Sequence, residues 1–154
     1  MEENLAEKIS RLNRTTTARD MYDLAWVAQH QRKVGGLDTA LIRRLAVLKI
    51  WVDARGLGGA NAWKPGHEPR DFDPAAWLRV RSAREFDLDD IGALAVPVPT
   101  EAELASTVST RYAFLTGLDA EERQLAGARE QDRDLALRLL AKLPGARLAH
   151  LGLY

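Results

Sequence analysis

The chain has 154 residues, of which 46% are hydrophobic, with 22 basic side chains balanced by 22 acidic ones and no cysteine. That is about one domain's length with apolar content enough for an unstapled core, and it excludes disulfides, thiolate catalysis and cysteine-based zinc sites, as suits a reducing, cytoplasmic setting. No apolar run approaches ~18 residues, and MEENLAEK is acidic rather than basic and then apolar, so neither a membrane span nor an export signal is expected.

Leu5, Ile9 and Leu12 repeat at helical spacing, which predicts a first helix over about residues 3–12, ended by NRTTT. Thr17 with Asp20 three residues on is a helix-start signal. Met21, Leu24, Ala25 and Ala28 then mark one face of a second helix that runs to about Lys33, before Gly35-Gly36. Asp38 is an N-cap for a third helix to about Arg55, with Leu41, Ile42, Leu45, Leu48 and Trp51 or Val52 as its buried stripe. From Gly56 to Asp73, four glycines and two prolines with no usable period predict an irregular loop.

Helices resume after it. Asp73-Pro74 opens a short one to about Ala83, and Asp87 caps another over Leu88 to Leu94. Thr100 and Glu103 form a capping box, with Leu104, Val108 and Leu115 inside. Asp119 caps a shorter segment, and Leu135, Leu139, Leu140 and Leu143 line a last helix before Pro144-Gly145. No strand pattern or repeat stands out. The expectation is an all-α bundle beginning with a helix hairpin, with a helical segment over 1–55, a loop over 56–73 and a C-terminal helical bundle over 74–154, together one compact domain.

Charge is unevenly placed: residues 1–55 hold ten basic and seven acidic side chains, and residues 56–154 hold twelve and fifteen, so an anionic ligand belongs at the N-terminal end. If the first two helices pack antiparallel, a rise of ~1.5 Å per residue puts Lys8 about 6 Å below the end of the first and Asp23 about 9 Å beyond the start of the second. The two then sit at similar heights. Arg19 and Asp23 are i, i+4, and Asp20 and Asp23 are i, i+3, so one patch can present cations beside carboxylates. That grouping suits phosphoryl chemistry, in which carboxylates hold Mg²⁺ and basic groups neutralise and grip phosphate oxygens. A structural reading stands beside it. Asp20 at the third helical position answers the helix dipole, and Lys8 on an exposed face is a solvated lysine.

AEK followed by RDMYDL resembles the E-K…R-D-x-Y-D-L signature in the C-terminal part of AbiEii-type nucleotidyltransferases, the toxins of bacterial toxin–antitoxin pairs that include the MenT toxins. FDLDDIGAL and TRYAFLTGLDAEERQLA resemble the region downstream more loosely. The resemblance implies a polymerase-β-like enzyme that transfers a nucleotide from an NTP, with Mg²⁺, to an acceptor such as the 3′ end of tRNA. It implies that Lys8 contacts the triphosphate or assists the attacking hydroxyl, that Asp23 is the catalytic acid beside the metal, and that Arg19 and Asp20 support or bind around it. An antitoxin, or a separate N-terminal segment, would be the protein partner.

Such enzymes also carry an upstream Gly-Gly or Gly-Ser followed by Asp-x-Asp, which supplies the principal metal-binding carboxylates. The hairpin here begins at Met1, so the chain is expected to be a truncated or split member, inactive alone. Gly58-Gly59 followed by Asp71-Phe72-Asp73 matches that pattern formally, but Pro65, Gly66 and Pro69 interrupt the interval and Asp73-Pro74 already serves as a helix start. FDLDD, residues 86–90, lacks the preceding glycine turn. His30, His67 and His150 lie far apart without zinc-ligand spacing, and no P-loop, G-x-S-x-G or Rossmann fingerprint is present. Trp26, Trp51 and Trp77 fall on helices as core anchors, leaving loop residue Trp63 as a candidate for a ligand or partner. The competing expectation is a non-catalytic helical protein that binds an antitoxin, a partner segment or RNA.

Overall fold

A computed structural model describes residues 1–12, 16–30, 36–55, 87–92, 95, 97–127 and 132–146. Among them are six α-helices and no strand: α1 (Glu2–Leu12), α2 (Ala18–Gln29), α3 (Thr39–Arg55), α4 (Glu101–Arg111), α5 (Ala120–Gly127) and α6 (Arg133–Ala141). The protein is all-α. The segments at 56–83, with the loop, its formal Asp-x-Asp match, Trp63 and Trp77, lie outside the described residues.

The helix starts are local chemistry. Thr17 accepts from the Asp20 amide to cap α2, Asp38 accepts from the Leu41 amide to cap α3, and Thr100 and Glu103 complete a reciprocal capping box on α4. Asp119 and Glu122 make the same exchange at α5, with Glu122 N–H donating to Asp119 at 2.8 Å and Asp119 N–H donating to Glu122 at 3.0 Å. Helix α2 runs to Gln29, where His30 leaves helical geometry at φ −107° and ψ 18°; the expected continuation to Lys33 lies outside the described residues. Asp87 caps a 3₁₀ turn over Leu88–Asp90 rather than a helix to Leu94. After α6, Gly145 takes a φ of 74°, a left-handed turn that a side chain would strain.

Two apolar clusters meet on α3. Leu5, Ile9 and Leu12 of α1 and Met21, Leu24 and Ala28 of α2 pack with Ile42, Ala46 and Ile50; Val47, Leu48 and Trp51 face Leu125, Leu135 and Leu139 instead. The single predicted stripe is therefore corrected to two buried faces, with Leu41, Leu45 and Val52 half-buried between or beside them. A period shows one face when a helix has one neighbour; α3 has α1 on one side and α5 and α6 on the other.

Tyr112, 4% exposed, closes α4 against α2 by donating its hydroxyl to the Leu24 carbonyl at 3.0 Å. Burial pushes its phenol above the ordinary value. Above pH ~10 the unfolded chain loses this proton while the folded chain keeps it, so stability falls with rising pH by up to about 1.4 kcal/mol per unit. Tyr112→Phe should cost about 1 kcal/mol at pH 8, from the lost hydrogen bond, and should flatten that alkaline fall; urea midpoints at pH 8 and pH 11 measure both. An equally steep fall in the variant would assign the titration elsewhere.

Candidate functional site

The α1–α2 hairpin brings three of the four sequence-predicted residues into contact. Lys8 Nζ lies 2.6 Å from Asp23 Oδ2 and 3.3 Å from Asp20 Oδ1. The two carboxylates differ in their surroundings. Asp20 is buried and both its oxygens are engaged: Oδ1 accepts from Lys8, and Oδ2 accepts from the Thr17 hydroxyl at 3.0 Å with Arg11 Nε at 3.6 Å. Asp23 is one-third exposed, and Lys8 holds one of its oxygens. Asp20 thus has the geometry of an anchor, and Asp23 that of a group that can meet a ligand.

This follows from the sequence step by step. Thr17 fixes the start of α2, which sets Asp20 in the first turn facing α1 and Asp23 almost one turn further along. Leu5 and Ile9 turn inward with Met21 and Leu24, which fixes the separation of the two helices. Lys8, half-buried, then reaches across the hairpin with its stem on apolar surface and its ammonium on the carboxylates.

Arg19 is not brought into this cluster. It lies on the exposed side of α2, and among the described residues no ion pair joins it to Asp23. The arginine beside the carboxylates is Arg11, half exposed, which sequence reasoning passed over. Its signal was its i, i+3 spacing from Lys8 on one face of α1.

Trp26 also departs from expectation. It is 43% exposed rather than a core anchor, and its ring stacks on His30 at 4.3 Å between centroids, 20° from parallel. The His30 Nδ1 stands 2.8 Å from the Trp26 carbonyl, which locks the imidazole in place. Trp51, at 2% exposure, is a core residue as predicted.

Among the described residues, no group of three or more His, Asp or Glu side chains could hold a metal ion. The donor set fits a share of one. Mg²⁺ usually keeps waters and substrate oxygens and takes one or two protein carboxylates, and Asp23 can offer such a carboxylate whereas Asp20 would have to surrender its present partners. No helix among the described residues is long and apolar enough to cross a membrane.

The family model for the AbiEii nucleotidyltransferase toxin of type IV toxin–antitoxin systems matches residues 1–111. No curated protein matches the sequence. Among solved structures, the chain is similar to the nucleotidyltransferase toxin MenT4 from Mycobacterium tuberculosis H37Rv, with 35% identity and a TM-score of 0.68 over 91% of this chain and 43% of that one. The chain therefore spans less than half the length of that relative. With its helical hairpin, its Lys8, Asp20 and Asp23 cluster and a family match over more than two thirds of its residues, the chain belongs to the AbiEii nucleotidyltransferase toxin family.

Proposed function

We propose that this chain carries one half of a nucleotidyl-transfer site, in which Lys8 and Asp23 act on an NTP and a polynucleotide acceptor such as the 3′ end of tRNA receives the nucleotide. The observation that carries this reading is the shared ammonium: Lys8 bridges a buried and an exposed carboxylate, so its position is fixed while one face of the cluster stays open to solvent. Lys8 neutralises triphosphate oxygens. Asp20 is a positioning residue that holds Lys8, and Arg11 adds positive charge, while Arg19 is left at the periphery to meet phosphate or acceptor. Asp23 supplies one carboxylate to Mg²⁺, which when bound would add charge neutralisation at the phosphates. In the transfer, the acceptor hydroxyl oxygen bonds to the α-phosphorus with its proton lost to solvent, the bond from that phosphorus to the bridging oxygen breaks, and pyrophosphate leaves.

Among the described residues, the carboxylates paired with Lys8 are Asp20 and Asp23, and with both Asp20 oxygens engaged, Asp23 is the one of the two placed to meet a metal ion. We read residues 1–55 as the site-bearing segment and 74–154 as its helical support within one domain. The protein partner, by family, is an antitoxin. The test is incubation with radiolabelled NTPs, Mg²⁺ and total tRNA, with and without a segment bearing Gly-Gly/Ser and Asp-x-Asp. The expected result is no label with the chain alone, and label with the segment that disappears in Asp23→Asn. Labelling that Asp23→Asn leaves intact would remove Asp23 from the site.

A further inference from the structure

We propose that the Trp26–His30 pair and the cavity beside it form the base-binding subsite for the nucleoside triphosphate. The proposal rests on the nucleotide reading of the Lys8–Asp23 cluster and says where on this chain the rest of the nucleotide lies.

Asp23 and Trp26 on α2 and His30 at its C-cap stand at i, i+3 and i+7, so they form one row along the helix, with the carboxylate at its N-terminal end and the ring pair ~5 to 10 Å further on. A cavity of about 400 Å³ adjoins the pair, between α2 and the segment leading into α4, lined among others by Tyr22, Gln29, Pro97 and Thr107. Its size is that of a small-ligand pocket. Among the described residues no lysine or arginine lines it, although Glu103 does, so none of them gives phosphate a counter-charge there. The cations lie at the other end of the row, where Lys8 and Arg11 meet Asp20 and Asp23. A ligand anionic at one end and flat, neutral and hydrogen-bonding at the other matches this division. A nucleoside triphosphate has that form.

The exposed indole is the second observation. A tryptophan left 43% open is unusual for so large an apolar surface, and its pairing with His30 holds the ring in one orientation. A ring so held needs little further ordering to stack a base, and stacking tolerates any base because each has a π-face. The occupant argued for is a single base of the NTP rather than a tract of RNA. Net charge is zero, and the described cations of the hairpin are Lys8 and Arg11 at the carboxylates and the single Arg19 on the exposed side of α2, which do not form the basic stripe that follows a polynucleotide backbone.

Calorimetric titration of the chain with each Mg²⁺–NTP and with Mg²⁺–tripolyphosphate, which carries the phosphates without a base, tests this. In the parent protein NTPs should bind more tightly than tripolyphosphate. Trp26→Ala should weaken NTP binding about ten-fold or more and leave tripolyphosphate unchanged, whereas Trp26→Phe should keep most of the affinity. Lys8→Ala should weaken both ligands. If Trp26→Ala leaves NTP affinity intact, or weakens both ligands equally, the base subsite is wrong while a Lys8-dependent phosphate site survives. If the parent chain binds neither ligand, alone or with the complementing Asp-x-Asp segment, the nucleotide reading itself falls and takes this proposal with it. Trp26 lies at the surface, so its replacement leaves the core undisturbed.

Discussion

In the assay with the complementing Asp-x-Asp segment, Lys8→Met should lower the proposed nucleotidyl transfer by about 10² to 10³-fold, the scale of losing one fixed electrostatic donor at a reacting phosphate. The same substitution should also destabilise the fold. Asp20 is buried, and without the ammonium its Oδ1 loses the partner at 3.3 Å, leaving the Thr17 hydroxyl and the more distant Arg11 to satisfy the charge. A charged hydrogen bond of this kind contributes about 1–2 kcal/mol after allowing for the partial exposure of Lys8. The two effects can be separated. Adding Asp20→Asn to Lys8→Met removes the stranded charge and should recover much of the lost stability, as read from urea midpoints, while transfer stays at the Lys8→Met level. Recovery of transfer in the double variant would show that Lys8 serves the fold and not the chemistry.

The larger stability effect lies on the other side of α3. Glu122 is fully buried, 2.6 Å from Arg43 Nε and 3.4 Å from Arg44 Nε, and Arg44 also reaches Asp119 at 3.3 Å. The pairs tie α5 to α3 and enclose the capping exchange between Asp119 and Glu122. Glu122→Leu would leave two largely buried guanidinium groups without their main counter-charge. A loss of about 3 kcal/mol is expected, and roughly 6–12 °C in Tm at this chain length. Replacing Arg43 and Arg44 with methionine in the same protein should restore most of that loss, because an apolar replacement of the whole group avoids the desolvation that one missing partner exposes. Thermal unfolding of the single and triple variants decides it. Equal melting of Glu122→Leu and the parent would mean that water already satisfies the arginines.

These two sites show what a sequence can and cannot disclose. The cap at Thr17 and Asp20, the box at Thr100 and Glu103 and the hydrophobic face of α1 depend on neighbours within four residues, so residue type and spacing were enough to find them. The hairpin pairing of Lys8 with Asp23 spans fifteen positions but needs just a short turn between two helices, and rise per residue placed it. Glu122 and Arg43 are 79 positions apart, and no period links them. Nor could a helical period tell whether Trp26 had a neighbour to cover it; the wheel gives a direction, and burial depends on what packs there. The two faces of α3 were merged for the same reason: the single predicted stripe joined Ile42 of one cluster to Leu48 and Trp51 of the other and left out Ala46, Val47 and Ile50.

Because α3 contributes to both apolar clusters, neither cluster can open without loosening the other's central wall. Amides from Ile42 to Trp51 should therefore exchange with solvent deuterium most slowly, at the rate of global unfolding, while those of α6 exchange through partial opening. The Lys8 hairpin and the Arg43, Arg44 and Glu122 group would share one unfolding event: a ligand held by Lys8 would slow exchange at Trp51, in the other apolar cluster, by raising the free energy of the whole opening.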